Sequence, residues 1–187
     1  MSVTGLILAG GLGRRMGGAD KGLMPYLGRP LVTHVRDALM RQVDRMMISA
    51  NRNAETYRAI VPDVLADRIG GFAGPLAGLH AGLCAADTDL VVSVPCDSPH
   101  LPSDLVSRLR EAMEASGSDV VIAVAGGREQ PAHCLCRREL ADRLGEYLTR
   151  GGRRMLDWVR SERWVTATFD DAAAFANVNR PEDLERS

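Results

Sequence analysis

The sequence predicts an α/β fold built on a mainly parallel sheet, and two observations carry that reading. Short aliphatic and β-branched runs alternate along the chain with helix-compatible segments, as successive strand–helix units do. Several runs, "DLVVSVP" among them, are apolar at consecutive positions, which marks strands covered on both faces. The first strand is "VTGLILA", residues 3–9, followed by a helical pattern over 31–42. "RMMISA" is the second strand, with a shorter helical stretch over 54–60 behind it. Residues 75–86 open with Pro75, which suits a first helical turn because its missing N–H would have no partner there. After "DLVVSVP" the helix over 103–115 carries Leu105, Val106, Leu109 and Met113 on one face, with Ser103 placed to cap its start. "SDVVIAVA" and "PAHCLC" are further strands; helical patterns over 138–149 and 152–160 and the strand "RWVTATF" follow. A last helix start lies after Pro181, where Glu182 and Asp183 complement the positive end of a helix dipole.

Composition bounds the function class. At 187 residues the chain fits one compact domain, residues 1–187, and no repeat or long polar linker divides it; the turn-rich zone 70–78 is too short to do so. Apolar residues make up 45%, charged residues 25%, and the net charge is −1, an ordinary globular mix without the basic excess of a nucleic-acid coat. The first apolar run is too short to span a membrane and leads into glycines and arginines instead of a cleavage site, so a soluble cytoplasmic protein is expected. Cys84, Cys96, Cys134 and Cys136 include no C-x-x-C pair and read as reduced thiols, not a metal site.

Ligands of open α/β sheets bind beyond the carboxyl ends of the strands, which directs attention to the loops after Ala9, Ala50 and Val94. The first of these, "LAGGLGRRMGGADKGL", places Gly10, Gly11 and Gly13 where the backbone can turn sharply and present its N–H groups. Arg14, Arg15 and Lys21 add positive charge, and together these features suit a polyphosphate. The P-loop pattern fails, since Lys21 follows Asp20 and precedes Gly22; the dinucleotide fingerprint fails at Met16. A solvent-exposed basic turn is the alternative.

The same stretch resembles the signature of nucleotidyltransferases with the nucleotide-diphospho-sugar transferase fold, and most closely that of MobA-type molybdenum cofactor guanylyltransferases. Leu8 to Gly11, Arg15 to Gly18, Asp20 and Lys21 match it in order; "SANRN", "VLAD", "GPLAGL", "PCDSPHLP" and "NVNRPEDL" extend the match across nearly the whole chain. Gly10 favours the guanylyl branch, since related cytidylyltransferases carry L-A-A-G there. The resemblance implies a three-layer α/β/α Rossmann-like nucleotidyltransferase fold. It also implies transfer of GMP from GTP to the terminal phosphate of molybdopterin or molybdenum-molybdopterin, with release of pyrophosphate and Mg²⁺ as cofactor. No nucleic acid or membrane partner is expected, and transient contact with other cofactor-biosynthesis proteins is compatible with it. Arg15, Lys21 and Asp97 are the implied catalytic residues, with Asp97 the metal ligand. Leu8, Ala9, Gly10, Gly11, Lys21, Ser49, Asn51, Asp67 and Asp97 are the implied nucleotide-binding set.

Each of these residues has a plainer reading. Asp97 ends a buried strand, as a Mg²⁺ carboxylate does, but an Asp beside Pro99 also serves a turn. Asp67 can accept from the N1–H and exocyclic amine of guanine, or be a surface charge. Where some family members carry N-A-N-R this chain has Ser49-Ala50-Asn51-Arg52, which leaves open whether Ser49 or Asn51 meets the nucleotide. Gly74, Pro75 and the small residues Ala77, Gly78, Ala81 and Gly82 suit either a ligand or close packing of helix on sheet; His80 reads as a packed or exposed histidine. Asn177 and Asn179 are candidates for the metal or second substrate, or turn residues, while Arg128, Arg153 and Arg154 are candidate anion binders or a solvated face. A cytidylyltransferase, a sugar-phosphate nucleotidyltransferase and a non-catalytic nucleotide-binding partner are the competing functions.

Overall fold

The computed structural model describes residues 1–10, 20–69 and 74–178. In chain order the elements are β1 (Val3–Leu8), β2 (Pro25–Tyr26), β3 (Arg29–Pro30), α1 (Leu31–Leu39), β4 (Arg45–Ser49), α2 (Ala54–Arg58) and β5 (Val64–Leu65). They continue with α3 (Pro75–Ala85), β6 (Leu90–Pro95), α4 (Leu105–Ser116), β7 (Val120–Ala125), β8 (Arg128–Arg137), α5 (Ala141–Thr149), α6 (Met155–Arg160) and β9 (Trp164–Phe169). Among the described residues seven strands form one sheet in the order β5-β4-β1-β6-β8-β7-β9. Pairings β5·β4, β4·β1, β1·β6 and β7·β9 are parallel; only β8 runs against its neighbours β6 and β7. The sheet is therefore mixed and mostly parallel, as the strand–helix alternation predicts.

Helices cover both faces, which makes the three layers. On one face Val32, Val35 and Leu39 of α1 and Leu105, Leu109 and Met113 of α4 pack on Val3, Ile7, Ile48, Val92 and Val94. On the other, Leu76, Leu79 and Leu83 of α3, Leu144 and Leu148 of α5 and Trp158 of α6 pack on Leu6, Leu8, Met47, Val91 and Ile122. Adjacent residues of β1 thus serve opposite layers, because strand side chains alternate in direction, and this explains runs without a polar position. No helix among the described residues is long and apolar enough to cross a membrane.

Five details depart from the sequence expectations. Helix α1 stops at Leu39, and Gln42 folds back: its amide donates to the carbonyls of Ala38 (3.1 Å) and Pro102 (2.9 Å), and its oxygen accepts Val106 N–H (3.1 Å). That bond satisfies an early N–H of α4, so Ser103 is not its cap; Asp104 stands at the N-cap without a side-chain bond. Strand β8 starts at Arg128, three residues before the apolar run, because Gly126 (φ 56°) and Gly127 (φ 72°) form a tight left-handed turn that returns the chain onto β7. A bulge in β8 then shifts the register between Ile122 and Ala123. Residues 138–149 divide into a 3-10 turn (Arg138–Leu140) and α5, and the helix over 152–160 begins only at Met155.

Candidate active site

Strands β4, β1 and β6 end level, with Leu8 paired to Ser49 on one side and Pro95 on the other. Hydrogen bonds continue past the strand ends, from Ala9 N–H to Ser49 O (2.8 Å) and from Cys96 N–H to Leu8 O (3.1 Å). The three loops singled out by the sequence therefore leave the same edge of the sheet. A cavity of about 210 Å³ lies there. Leu8, Ala9, Gly10 and Ser49 line it with Lys21 and Asp67; Pro95, Cys96 and Asp97 come from the end of β6, Gly74, Pro75 and Gly78 from α3, and Ala132 from β8.

Lys21 sits on a 3-10 turn (Lys21–Leu23), and its Nζ donates to Asp97 Oδ2 at 2.5 Å. Both side chains are largely sheltered, 21% and 16% exposed, so this pair is screened less than a surface pair. Immediately before it, the carboxylate of Asp20 accepts the Tyr57 hydroxyl (2.5 Å) and the Asn53 amide (2.9 Å). Cys96, beneath Asp97, is buried; burial first, and the Asp97 charge second, push its thiol far up and keep it protonated. A neutral thiol is no nucleophile.

Ser49 is buried under α3, where a Cβ on Gly78 would lie 2.6 Å from its Oγ, so the glycine is what lets the helix start come down over the hydroxyl. Asn51 is exposed and is not among the residues lining the cavity: its amide donates to Asp67 Oδ2 (2.7 Å) while Asp67 N–H donates back to Asn51 Oδ1 (2.9 Å). The two residues left open by the sequence thereby take different places, Ser49 on the cavity and Asn51 on Asp67. Asn177 accepts the Ser98 hydroxyl (2.7 Å), and Val178 N–H donates to Asp97 O (2.9 Å), which brings the segment after β9 against the Asp97 loop.

Other candidates lie elsewhere. Arg153 donates to the carbonyls of Leu148 (2.8 Å) and Gly152 (2.7 Å) in the α5–α6 turn, Arg154 is exposed near Asp157 (3.8 Å), and Arg128 begins β8 at the hairpin; none lines the cavity. His80 is a packed histidine between α3 and α5, with Gly145 leaving it room and burial lowering its pKa. Gly11, Arg14, Arg15 and Asn179 lie outside the described residues. Among the described residues no cluster of three His, Cys, Asp or Glu side chains offers a complete metal cage. Asp97 supplies one carboxylate, and that of Asp20 is engaged by α2. This set suits a hard divalent cation that takes its remaining ligands from substrate phosphates and water. Pro75 and Gly78, left open by the sequence between a ligand and close packing, line the cavity, while Ala132 and Asp20 were given no functional role from the sequence. Asp20 carried the one available signal, its position beside Lys21, while its partner Tyr57 is 37 residues away.

A family described as MobA-like NTP transferase domain matches residues 5–164. The molybdenum cofactor guanylyltransferase of Cupriavidus necator is 49% identical, over 97% of this chain and 94% of that protein. The protein of the same name from Shewanella putrefaciens is 41% identical, over 100% and 96%. Among solved structures, molybdopterin-guanine dinucleotide biosynthesis protein A from Archaeoglobus fulgidus shares the fold with a TM-score of 0.78 at 22% identity, over 97% and 95% of the two chains.

Proposed function

The chain belongs to the family of MobA-like NTP transferase domains, and on that premise we propose that it transfers GMP from GTP to the terminal phosphate of molybdopterin or molybdenum-molybdopterin, releasing pyrophosphate. The observation that carries this reading is the Lys21–Asp97 pair, set in the wall of a cavity at the carboxyl ends of three parallel strands.

Phosphoryl and nucleotidyl transfer ask the protein for alignment and charge compensation more than for covalent chemistry. The attacking oxygen belongs to an already ionised phosphate, so neither a Ser–His pair nor a general base is required, and the protonated Cys96 fits that economy. In this reading Lys21, with Arg15 and the backbone N–H groups of residues 8–13, holds the triphosphate. Asp67, oriented by Asn51, accepts from the N1–H and exocyclic amine of guanine, a donor pair that adenine lacks. Ser49 borders the same cavity, and Asn177 and Asn179 are assigned to the metal or second substrate from the family resemblance; the Ser98–Asn177 bond holds Asn177 against the Asp97 loop. Asp97 would hold Mg²⁺, which when bound neutralises phosphate charge. Residues 1–187 act as one nucleotidyltransferase domain, a reading supported by the single sheet that both apolar layers share, and we assign it to the cytoplasm from the sequence alone.

Pyrophosphate release measured across the four nucleoside triphosphates with molybdopterin, with and without Mg²⁺, tests this. GTP is the expected substrate, with turnover only when Mg²⁺ is present. Preference for CTP would replace the reaction by its cytidylyl counterpart, and GTP binding without turnover would point to a non-catalytic partner.

A further inference from the structure

We propose that Tyr57 is a positioning residue for Lys21, acting through the carboxylate of Asp20. The proposal rests on the reading that Lys21 holds the nucleotide phosphates. Tyr57 is fully buried in the core cluster that contains Ile48, Ala50, Val61 and Cys96, and its hydroxyl emerges from that core to donate to Asp20 Oδ1 at 2.5 Å. The second oxygen of Asp20 accepts the Asn53 amide at 2.9 Å, and Asn53, in left-handed conformation (φ 53°), starts the same short helix. Both oxygens of the residue before Lys21 are therefore held from α2.

The residue after Lys21 meets the same phenol. A Cβ on Gly22 would lie 2.5 Å from the Tyr57 hydroxyl oxygen and 3.5 Å from Cys96 Cβ, so only glycine lets the turn settle against that ring. Leu23 N–H donates to Asp20 O (3.1 Å) and Met24 N–H to Lys21 O (3.2 Å), which closes the turn on itself. Lys21 thus projects from a backbone braced on both sides by one buried side chain. A lysine stem has several rotatable bonds, and anchoring its base lowers the entropy lost when the ammonium is held at one place in the cavity. Burial first, and the hydrogen bond to Asp20 second, raise the phenol's pKa and keep its proton in place to donate to the carboxylate.

Tyr57→Phe keeps the ring and removes the hydroxyl. In the full-length protein its Kd and KM for GTP should rise about tenfold, the factor that losing one charge-assisted hydrogen bond produces, with kcat changed much less. Asp20→Asn should raise the same two constants, which guards against a folding defect particular to one variant. In the Lys21→Ala background, Tyr57→Phe should add less than about twofold, because its effect passes through the missing ammonium. Independent, multiplying effects of Tyr57→Phe and Lys21→Ala would overturn the relay. Unchanged GTP binding in Lys21→Ala alone would instead overturn the role of Lys21, and the relay with it.

Discussion

Asp97 and Lys21 show how little covalent machinery the proposed site contains. One carboxylate and one ammonium, each mostly sheltered, face each other across 2.5 Å, and the thiol beside them, Cys96, is kept neutral by burial. Replacing the carboxylate removes charge compensation without opening the core. Asp97→Ala should therefore lower Mg²⁺-dependent pyrophosphate release by about 100-fold or more, the scale of losing one preorganised electrostatic group, while the thermal midpoint stays within a few degrees. Wild-type turnover in that variant would remove Asp97 from the metal. The roles of Leu8, Gly10, Lys21 and Asp97 as cavity residues were legible from their order behind two apolar strands. The division between Ser49 and Asn51 was not, because both are small polar residues two positions apart, and only their different partners, Gly78 and Asp67, separate them.

At the scale of elements, α3 is the piece whose placement shapes the cavity, since Gly74, Pro75 and Gly78 at its start form part of the wall. The helix lies close on β1: a Cβ on Gly82 would fall 2.5 Å from Leu6 Cδ2, inside the sheet-facing layer. Gly82→Ala should cost about 1–3 kcal/mol through overpacking, read as a lower urea midpoint, and should also raise KM for GTP as the helix start shifts. An unchanged midpoint would mean that Leu6 finds another rotamer. Small residues along this helix were visible in the sequence, and packing proves to be one of their uses. The charged beginning of β8 was not visible as strand, because Arg128, Glu129 and Gln130 lack apolar alternation and pair with β7 only through the Gly126–Gly127 turn.

For the whole molecule, the buried His133 links the sheet to the segment that follows β9. Its ring lies edge-on to Phe175 at 5.0 Å, and among the described residues neither ring nitrogen has a partner. Burial holds its pKa down to about 4, from an ordinary 6.5. Between those values the unfolded chain binds the extra proton and the folded chain does not, so stability is full above about pH 6.5 and falls as pH drops toward 4. His80, lowered by burial too, acts in the same direction. Unfolding free energies from urea titrations between pH 7 and 4 should decline, with a slope from His133 approaching about 1.4 kcal/mol per pH unit. His133→Leu should flatten that decline; an equally steep curve in the variant would show that the ring is not the titrating group.

The alternation of strands and helices, the burial of the sheet on both faces and the choice of the loops after β1, β4 and β6, where the cavity lies, could be read from the sequence. These depend on side-chain period and turn chemistry, which act over a few residues. Only the tertiary structure decided which distant groups meet. Gln42 caps α4, Tyr57 and Asn53 hold Asp20, Asn51 holds Asp67, and Arg153 turns to the carbonyls of its own loop instead of the cavity. A polar side chain can satisfy its hydrogen bonds with any correctly placed partner, so its identity alone does not select one; the packing of the layers brings a particular partner within reach.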